Sequence, residues 1–263
     1  MRCMRKYEKS NPEKPTLTPA QKSVGKKSVI RIESIKDAGI NYRKEEGIRL
    51  PKSFFVIVSG GEKRERDYFK VISNQDKFGR IKIEFVADTK QLYPDGLFNT
   101  AKRKKERYES SQENVPDKIF IVSDVDHYYD DLIRIKPKCK KANIQLIISN
   151  SCFEIWLYYG KFSNKPTNFV IPADPLKISK SFKAYLDRNV KGGVNPKYAI
   201  FDIFAAIKNA KDNYDEDKKK IPTLFSTNMF LLAEELLPLI EDELKTVMDE
   251  IEQKNRSYQK RRC

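Results

Sequence analysis

The sequence predicts an α/β protein whose mainly parallel sheet is flanked by helices. Two observations lead to this fold class. Short runs of apolar, β-branched and aromatic residues, typical of buried strands, recur between residues 53 and 148. Longer segments separate these runs and carry apolar residues three or four apart, the spacing of one helix face. Strands that alternate with helices are typical of βαβ units, in which successive strands run parallel.

The elements of the sheet can be assigned in order. The predicted strands cover residues 53–58, 81–86, 118–122 and 144–148. A helix is predicted to begin near Glu62 with Tyr68, Phe69 and Ile72 on one face, and others to cover about 95–110 and 152–162. The stretch between the third and fourth strands is predicted to be helical but interrupted by Pro137, since proline lacks an N–H group and clashes with the preceding turn.

The two ends of the chain differ from this core. Helices are predicted at about 175–189, 197–213 and 225–250, and Pro238 is expected to kink or split the last one. The first 50 residues are rich in Lys, Arg, Pro and Ser, which predicts a partly flexible arm with a short strand at 29–32. The predicted division is a basic N-terminal arm (1–50), an α/β core (51–165) and a helical C-terminal region (166–263).

Composition narrows the class of protein. The formal net charge of +15 favours a phosphate-bearing partner such as nucleic acid, with solubility or a protein partner as alternatives. The four cysteines include no CxxC pair, which argues against a zinc site and a disulfide framework. An apolar signal segment and an apolar run of membrane-spanning length are both lacking. We therefore expect a soluble protein of the cytoplasm without a membrane partner.

An acidic pair follows the third predicted strand. Asp124 and Asp126 are two residues apart, so in an extended segment both side chains would point the same way. Ligands of parallel α/β sheets bind beyond the carboxyl ends of the strands, and Mg²⁺ needs only a few carboxylate ligands. The alternative is an ordinary turn, in which Asp is common. His127, the only histidine, would contribute proton transfer or a phosphate contact, or would be a bystander.

Two further acids are candidates for the same site. Glu65 lies on the apolar face of the first helix, where a carboxylate requires a partner such as a metal ion or another cation. Alternatively, Glu65 complements the helix dipole, a role that Glu62 fits better. Glu154 is the odd acid of an otherwise apolar helix and is spaced from Ser151 as in a capping box, so it either caps that helix or joins the site. The hypothesis requires that Glu65 and the two aspartates share one pocket that is not filled by a lysine or arginine ion pair.

Three segments, in this order, resemble the RloB-like family of bacterial proteins, which carry a Toprim-like domain. Residues 58–69 (VSGGEKRERDYF) are similar to a pattern close to CEGEKTExxYF, and residues 121–126 (IVSDVD) to a strand ending in DxD. Residues 148–157 (ISNSCFEIWL) are similar to SNPCFExWL, the most specific of the three. Residues 226–228 and 234–236 also look similar, and the likeness spans about 53–240.

The resemblance implies a magnesium-dependent enzyme that makes or breaks phosphodiester bonds. It implies a catalytic site at Asp124 and Asp126 with Glu65, which would hold Mg²⁺ or Mn²⁺, and Glu154 is a further catalytic candidate. The chain departs from the pattern in four places: Gly60 replaces the first acid, Arg64 a threonine, Ser151 a proline and Gly160 a histidine. Either Glu62 substitutes for the missing acid, or this member binds without turnover.

Three functions follow from these observations. The leading hypothesis is a metal-dependent nuclease of anti-phage defence, which the resemblance associates with abortive-infection genes and an ABC- or SMC-type ATPase. The second is a catalytically degenerate nucleic-acid-binding or regulatory subunit of that ATPase, and the third is a site for a small nucleotide. The polyanion would be held by the basic N-terminal arm and by Lys63, Arg64, Lys102, Arg103, Lys104 and Lys105. The last four could equally form the solvated face of their helix.

Overall fold

Parallel strands form the centre of the protein. The computed structural model describes residues 53–61, 63–73, 78–87, 93–111, 115–190 and 193–260. Its strands are β1 (Ser53–Ser59), β2 (Ile81–Ala87), β3 (Lys118–Asp124), β4 (Gln145–Asn150) and β5 (Ser226–Thr227). The first four pair in parallel, in the order β2-β1-β3-β4, and β5 pairs antiparallel with the outer side of β4. The predicted α/β class with a mainly parallel sheet is confirmed.

Helices connect and cover these strands. They are α1 (Arg64–Ser73), α2 (Pro94–Ser111), α3 (Tyr129–Lys141), α4 (Glu154–Tyr159), α5 (Ile178–Asn189), α6 (Pro196–Ala199), α7 (Ile203–Asp212) and α8 (Met229–Lys260). Short 3₁₀ turns, Pro175–Lys177 and Ile200–Asp202, precede α5 and α7. The predicted N-terminal arm, with its strand at 29–32, and Glu62 lie outside the described residues.

The sheet is buried on both faces because its strands are apolar at successive positions. In β1, Phe55 and Ile57 pack into one apolar cluster, while Phe54, Val56 and Val58 pack into the other. The first cluster also contains Trp156 of α4 and Leu236 of α8, so the C-terminal helices share a core with the sheet. The second lies under α2 and α3 and holds their buried side chains.

Several local predictions need correction. Pro137 lies inside a continuous α3, and Pro238 does not split α8, whereas a kink at Pro238 remains a prediction. Burial of Ile135 and Cys139, and of Leu236 and Ile240, on either side of the two prolines offsets the cost of about 3 kcal/mol of an interior proline. The helix predicted at 152–162 is shorter, and the one predicted from residue 225 begins at Met229.

The late start of α8 has a structural cause. Asn228 accepts a hydrogen bond from the backbone N–H of Ile148 (2.6 Å) and donates one to the carbonyl of Leu146 (3.3 Å). The hydroxyls of Ser149 and Thr227 are also paired, at 2.8 Å. Residues 226–228 are therefore held against the edge of β4 as a short strand before the helix begins.

The described helices are also relevant to the expectation about membranes. None of them, over the ranges given above, combines the length and apolar character that crossing a membrane requires.

Candidate functional site

The candidate site lies where the direction of chain progression changes in the sheet. β1 is the neighbour of both β2 and β3, so the chain moves to one side of β1 first and to the other side afterwards. At such a topological switch point the loops after two neighbouring strands diverge and leave a crevice for a ligand. A cavity of about 500 Å³ occupies this place.

Side chains of both charges line the cavity. The acids are Glu65, Asp124, Asp126 and Glu154, the cations are Lys63, Arg64 and Lys183, and His127 lies beside them. All four predicted catalytic carboxylates are therefore brought together at one edge of the sheet. Their predicted roles in catalysis remain predictions.

Glu65 is an acid of the cavity that lies just after the end of β1. It lies in the first turn of α1 and is buried, as the apolar face of that helix predicted. Its carboxylate folds back over Gly61, so closely that an added Cβ there would lie 1.9–2.0 Å from the carboxylate atoms. Burial raises the pKa of Glu65, its own backbone N–H opposes the rise, and the charge of Glu154 adds to it.

Asp124 is the last residue of β3 and is partly buried. Burial raises its pKa well above the ordinary value, and the charges of Glu65 and Glu154 raise it further. Since the ionised forms of these three acids repel one another in a region poor in water, the cluster is stabilised by a cation or by a proton.

Asp126 reaches the cavity by a different route from the one predicted. β3 ends at Asp124, and Asp126 lies in a turn with φ of 34°, so strand alternation does not extend to it. The backbone N–H groups of Val125 and Asp126 donate to the carbonyls of Ser149 (2.9 Å) and Ser151 (3.3 Å), which fixes the turn against the end of β4. Ser179 of α5 donates to the carboxylate of Asp126 at 3.4 Å.

Glu154 does not cap its helix. It is the first residue of α4, whereas a capping box requires the acid at the third helical position, and α4 has no side-chain cap. The Oγ of Ser151 lies instead 3.7 Å from the Sγ of Cys152. The capping-box interpretation is therefore wrong, and Glu154, only 3 % exposed, belongs to the lining of the cavity.

Two cations pair with the buried Glu154. The Nε of Arg64 lies 3.3 Å from one carboxylate oxygen, and the Nζ of Lys183 lies 3.6 Å from the other. Arg64 also pairs with Asp187 of α5 at 3.3 Å. Within the described ranges these ion pairs involve Glu154 and Asp187, and neither Glu65 nor Asp124 is a partner in them.

Lys183 was missed by the sequence analysis. It lies in α5, about 60 residues after the acidic pair, among 52 basic residues of the chain. Burial by itself would lower the pKa of Lys183, but the charges of Glu154, Cys152, Asp124 and Glu65 together raise it. The neighbouring Phe182 is fully buried. Its position directly before Lys183 is the one local feature of α5 that places this lysine at the border of the core.

His127 and Lys63 lie at the exposed side of the cavity. The Nδ1 of His127 is 3.5 Å from Asp126, and its ring contacts that of Tyr128, with centroids 4.0 Å apart. Half of the His127 side chain is exposed. A ligand in the cavity can therefore reach the ring, and the predicted role of His127 in proton transfer or phosphate contact remains a prediction.

The lysine-rich run of α2 lies elsewhere. Lys104 pairs with Glu84 in β2, and Lys105 donates to the carbonyl of Ala142, near the opposite end of the sheet. Lys102 pairs with Glu106 one turn away, and Arg103 donates to the hydroxyl of Thr100. These four residues do not line the cavity, and nucleic-acid binding by them remains a prediction.

The acids of the cavity supply oxygen donors of the kind that a metal ion can bind. Over the described residues, no group of three or more His, Cys, Asp or Glu side chains converges closely enough to hold an ion. The donors are nevertheless all carboxylate oxygens, which suit Mg²⁺, and magnesium usually keeps several of its waters. The type of donor therefore suits such an ion, and its binding by Glu65, Asp124 and Asp126 remains a prediction.

Comparison with known proteins gave one match. A family model described as RloB-like protein matches residues 55–236, which is more than half of the chain and includes every residue of the cavity named above. No curated protein and no solved structure matches.

Proposed function

This chain belongs to the RloB-like family, and from that membership and the charged cavity we propose a Toprim-like, magnesium-dependent nuclease of bacterial anti-phage defence. Its substrates would be the phosphodiesters of nucleic acid. One observation carries the proposal: Glu65, Asp124, Asp126 and Glu154, which follow or end three different strands, meet in one cavity at the switch point of a parallel sheet.

Each carboxylate has a distinct part in this proposal. Magnesium, or manganese, would polarise a phosphoryl oxygen and lower the pKa of a bound water. Glu65, Asp124 and Asp126 would hold the ion. Glu154 is already paired with Arg64 and Lys183, so its part would be to orient these two cations. The net charge of +15 would favour the approach of a polyanion.

A second candidate is a binding or regulatory subunit without turnover, working with an ABC- or SMC-type ATPase. Gly60 favours it, because it lines the cavity where the family pattern has an acid. Arg64 favours it too, since its side chain pairs with an acid of the cavity where the pattern has a threonine. The third hypothesis, a small nucleotide ligand, is supported by the volume of the cavity, about 500 Å³.

Cleavage assays distinguish the first two candidates. The purified chain is incubated with single- and double-stranded DNA and RNA, with magnesium, with manganese, and with a chelator. We expect metal-dependent cleavage that is lost in Asp124→Ala/Asp126→Ala and kept in Asp130→Ala, an exposed acid of α3. Cleavage that survives the double substitution refutes the site. Tight, salt-dependent binding of nucleic acid without cleavage favours the binding subunit.

Calorimetric titration with mononucleotides tests the third hypothesis. Nucleotide binding that is abolished by Asp124→Ala/Asp126→Ala, together with absence of cleavage and of binding to long nucleic acids, would favour a small nucleotide as the ligand.

A further inference from the structure

We propose that Lys183 and Arg64 form a phosphate-binding subsite at the α5 side of the cavity, next to the carboxylates of Glu65 and Asp124. This inference rests on the proposed function and deepens it. The carboxylates would bind the metal ion, and Lys183 and Arg64 would bind a phosphate group of the substrate. Lys183 is contributed by the helical C-terminal region and not by the loops that follow the strands.

The position of Lys183 is fixed by its own helix. Phe182 and Leu186 are fully buried in the main core, so α5 cannot rotate without exposing them. The rotation they impose places Lys183 on the cavity, within reach of Glu154. Arg64 approaches the same carboxylate from α1. The two cations are therefore brought together by independent elements.

The pairing of Lys183 is loose. Its Nζ lies 3.6 Å from Glu154, whereas a charge-assisted hydrogen bond measures about 2.7–2.9 Å. The side chain is 43 % exposed, although its charge lies among buried acids. An ammonium group in this position keeps donor capacity for a ligand oxygen.

Arg64 gives a second, independent observation. Its Nη1 is buried and has no hydrogen-bond partner within the described residues, while its Nε and Nη2 are paired. A buried donor without an acceptor is unfavourable and uncommon in proteins. A phosphate oxygen is the acceptor that a guanidinium group binds best, since the two are matched in charge and in geometry. Because Nη1 is enclosed, it reaches a phosphate in the cavity only when the Arg64 side chain turns toward that ligand.

Phosphate binding tests the assignment directly. Inorganic phosphate is titrated calorimetrically into the full chain, with and without magnesium. Lys183→Met keeps the length of the side chain and removes its charge, Lys183→Arg keeps the charge, and Lys180→Met is the matched control on the exposed side of α5. We expect phosphate affinity to fall about 10-fold or more in Lys183→Met, as for loss of one charged contact. It should be largely retained in Lys183→Arg and unchanged in Lys180→Met.

The binding of Mn²⁺, followed by the electron paramagnetic resonance of the free ion, separates this inference from the proposed function. Lys183→Met should bind Mn²⁺ at least as tightly as the native chain, because a positive charge has been removed. If the native chain binds phosphate but no metal, and Lys183→Met loses the phosphate, the subsite stands and the metal-dependent function fails. Unchanged phosphate affinity in a folded Lys183→Met, or no phosphate binding by the native chain, overturns the subsite.

Discussion

The carboxylate of Glu65 occupies the space that a side chain on residue 61 would fill. An ideal Cβ on Gly61 would lie 1.9 Å from the carboxyl carbon of Glu65 and 2.0 Å from each of its oxygens. The glycine is therefore required by close approach and not by a left-handed backbone. Through this contact the end of β1 positions an acid of the cavity.

Gly61→Ala should thus weaken metal binding more than it lowers the stability of the fold. The atoms in conflict belong to the far end of a flexible side chain, so Glu65 can rotate away while the fold persists. We expect Mn²⁺ affinity to fall by about 10-fold, the effect of losing roughly 1.4 kcal/mol of interaction, with little change in Tm. Equilibrium titration and thermal unfolding provide the two measurements.

A double-substitution cycle tests whether this effect passes through Glu65. In a Glu65→Gln background, Gly61→Ala should cause little further loss of metal affinity, because the two changes remove one interaction. Additive losses would show that Gly61 acts by some other route.

The neighbouring glycine gives a prediction of the opposite sign. Gly60 lines the cavity at the position of the acid in the family pattern, and its φ is not positive, so an L residue fits its backbone. Gly60→Glu adds a carboxylate ligand and should increase Mn²⁺ affinity by about 10-fold, near the 1.4 kcal/mol that such a factor represents. Cleavage measured in parallel shows whether turnover rises as well. Gly60→Gln is the control for size, and equal gains in both variants would contradict an electrostatic cause.

The parts of this protein that could be predicted from sequence are those determined by local pattern. The strands were predicted because residues such as Val56 and Ile57 are apolar on both faces of a doubly covered sheet. Asp124 was placed correctly at a strand end. The turn at Asp126 was considered only as the alternative to an extended segment, since the carbonyls of β4 that hold its backbone are distant in sequence. β5 consists of two residues and depends on Asn228, 80 residues distant from its partner Ile148.

Of the cations that line the cavity, Lys63 and Arg64 were predicted to contact nucleic acid, and Lys183 was missed. The pairing of Arg64 with Glu154 joins residues 90 positions apart, and no periodicity within either segment indicates it. Lys183 is one of many lysines, and its place is set by how Phe182 packs in the core. The net positive charge of the chain predicted a phosphate-bearing partner but did not indicate Lys183.

The buried acids make stability dependent on pH. The pKa of Asp124 is raised in the folded protein, chiefly by burial, so folding favours the protonated form. Its stabilising effect is complete below the unfolded pKa of about 3.9 and is lost as pH rises through the folded pKa. Without metal, Asp124→Asn should therefore raise Tm at neutral pH, by about 2–4 °C for each kcal/mol gained, and have little effect below pH 4.

Thermal unfolding in the presence of a chelator, across this pH range, checks the sign. Asp130→Asn, at an exposed position of α3, is the matched control and should leave Tm unchanged at every pH. A Tm of Asp124→Asn below that of the native chain at neutral pH would mean that the carboxylate is stabilised by protein contacts instead of destabilised by burial.

Arg64→Thr, which introduces the residue of the family pattern, should lower stability because it leaves Glu154 with Lys183 as its remaining counter-ion in the described part of the chain. Removal of one partner from a buried pair costs about 3–5 kcal/mol, and since Arg64 is 29 % exposed we expect a smaller loss of about 1–3 kcal/mol. Urea unfolding measures this loss of stability.

Arg64→Thr/Glu154→Gln should recover most of the loss, because the uncompensated charge is then absent. Arg188→Thr, an exposed arginine of α5, serves as the control. If the double variant is no more stable than Arg64→Thr, Arg64 contributes through packing of its stem and not through its charge, and its place in the phosphate subsite would lose its electrostatic basis.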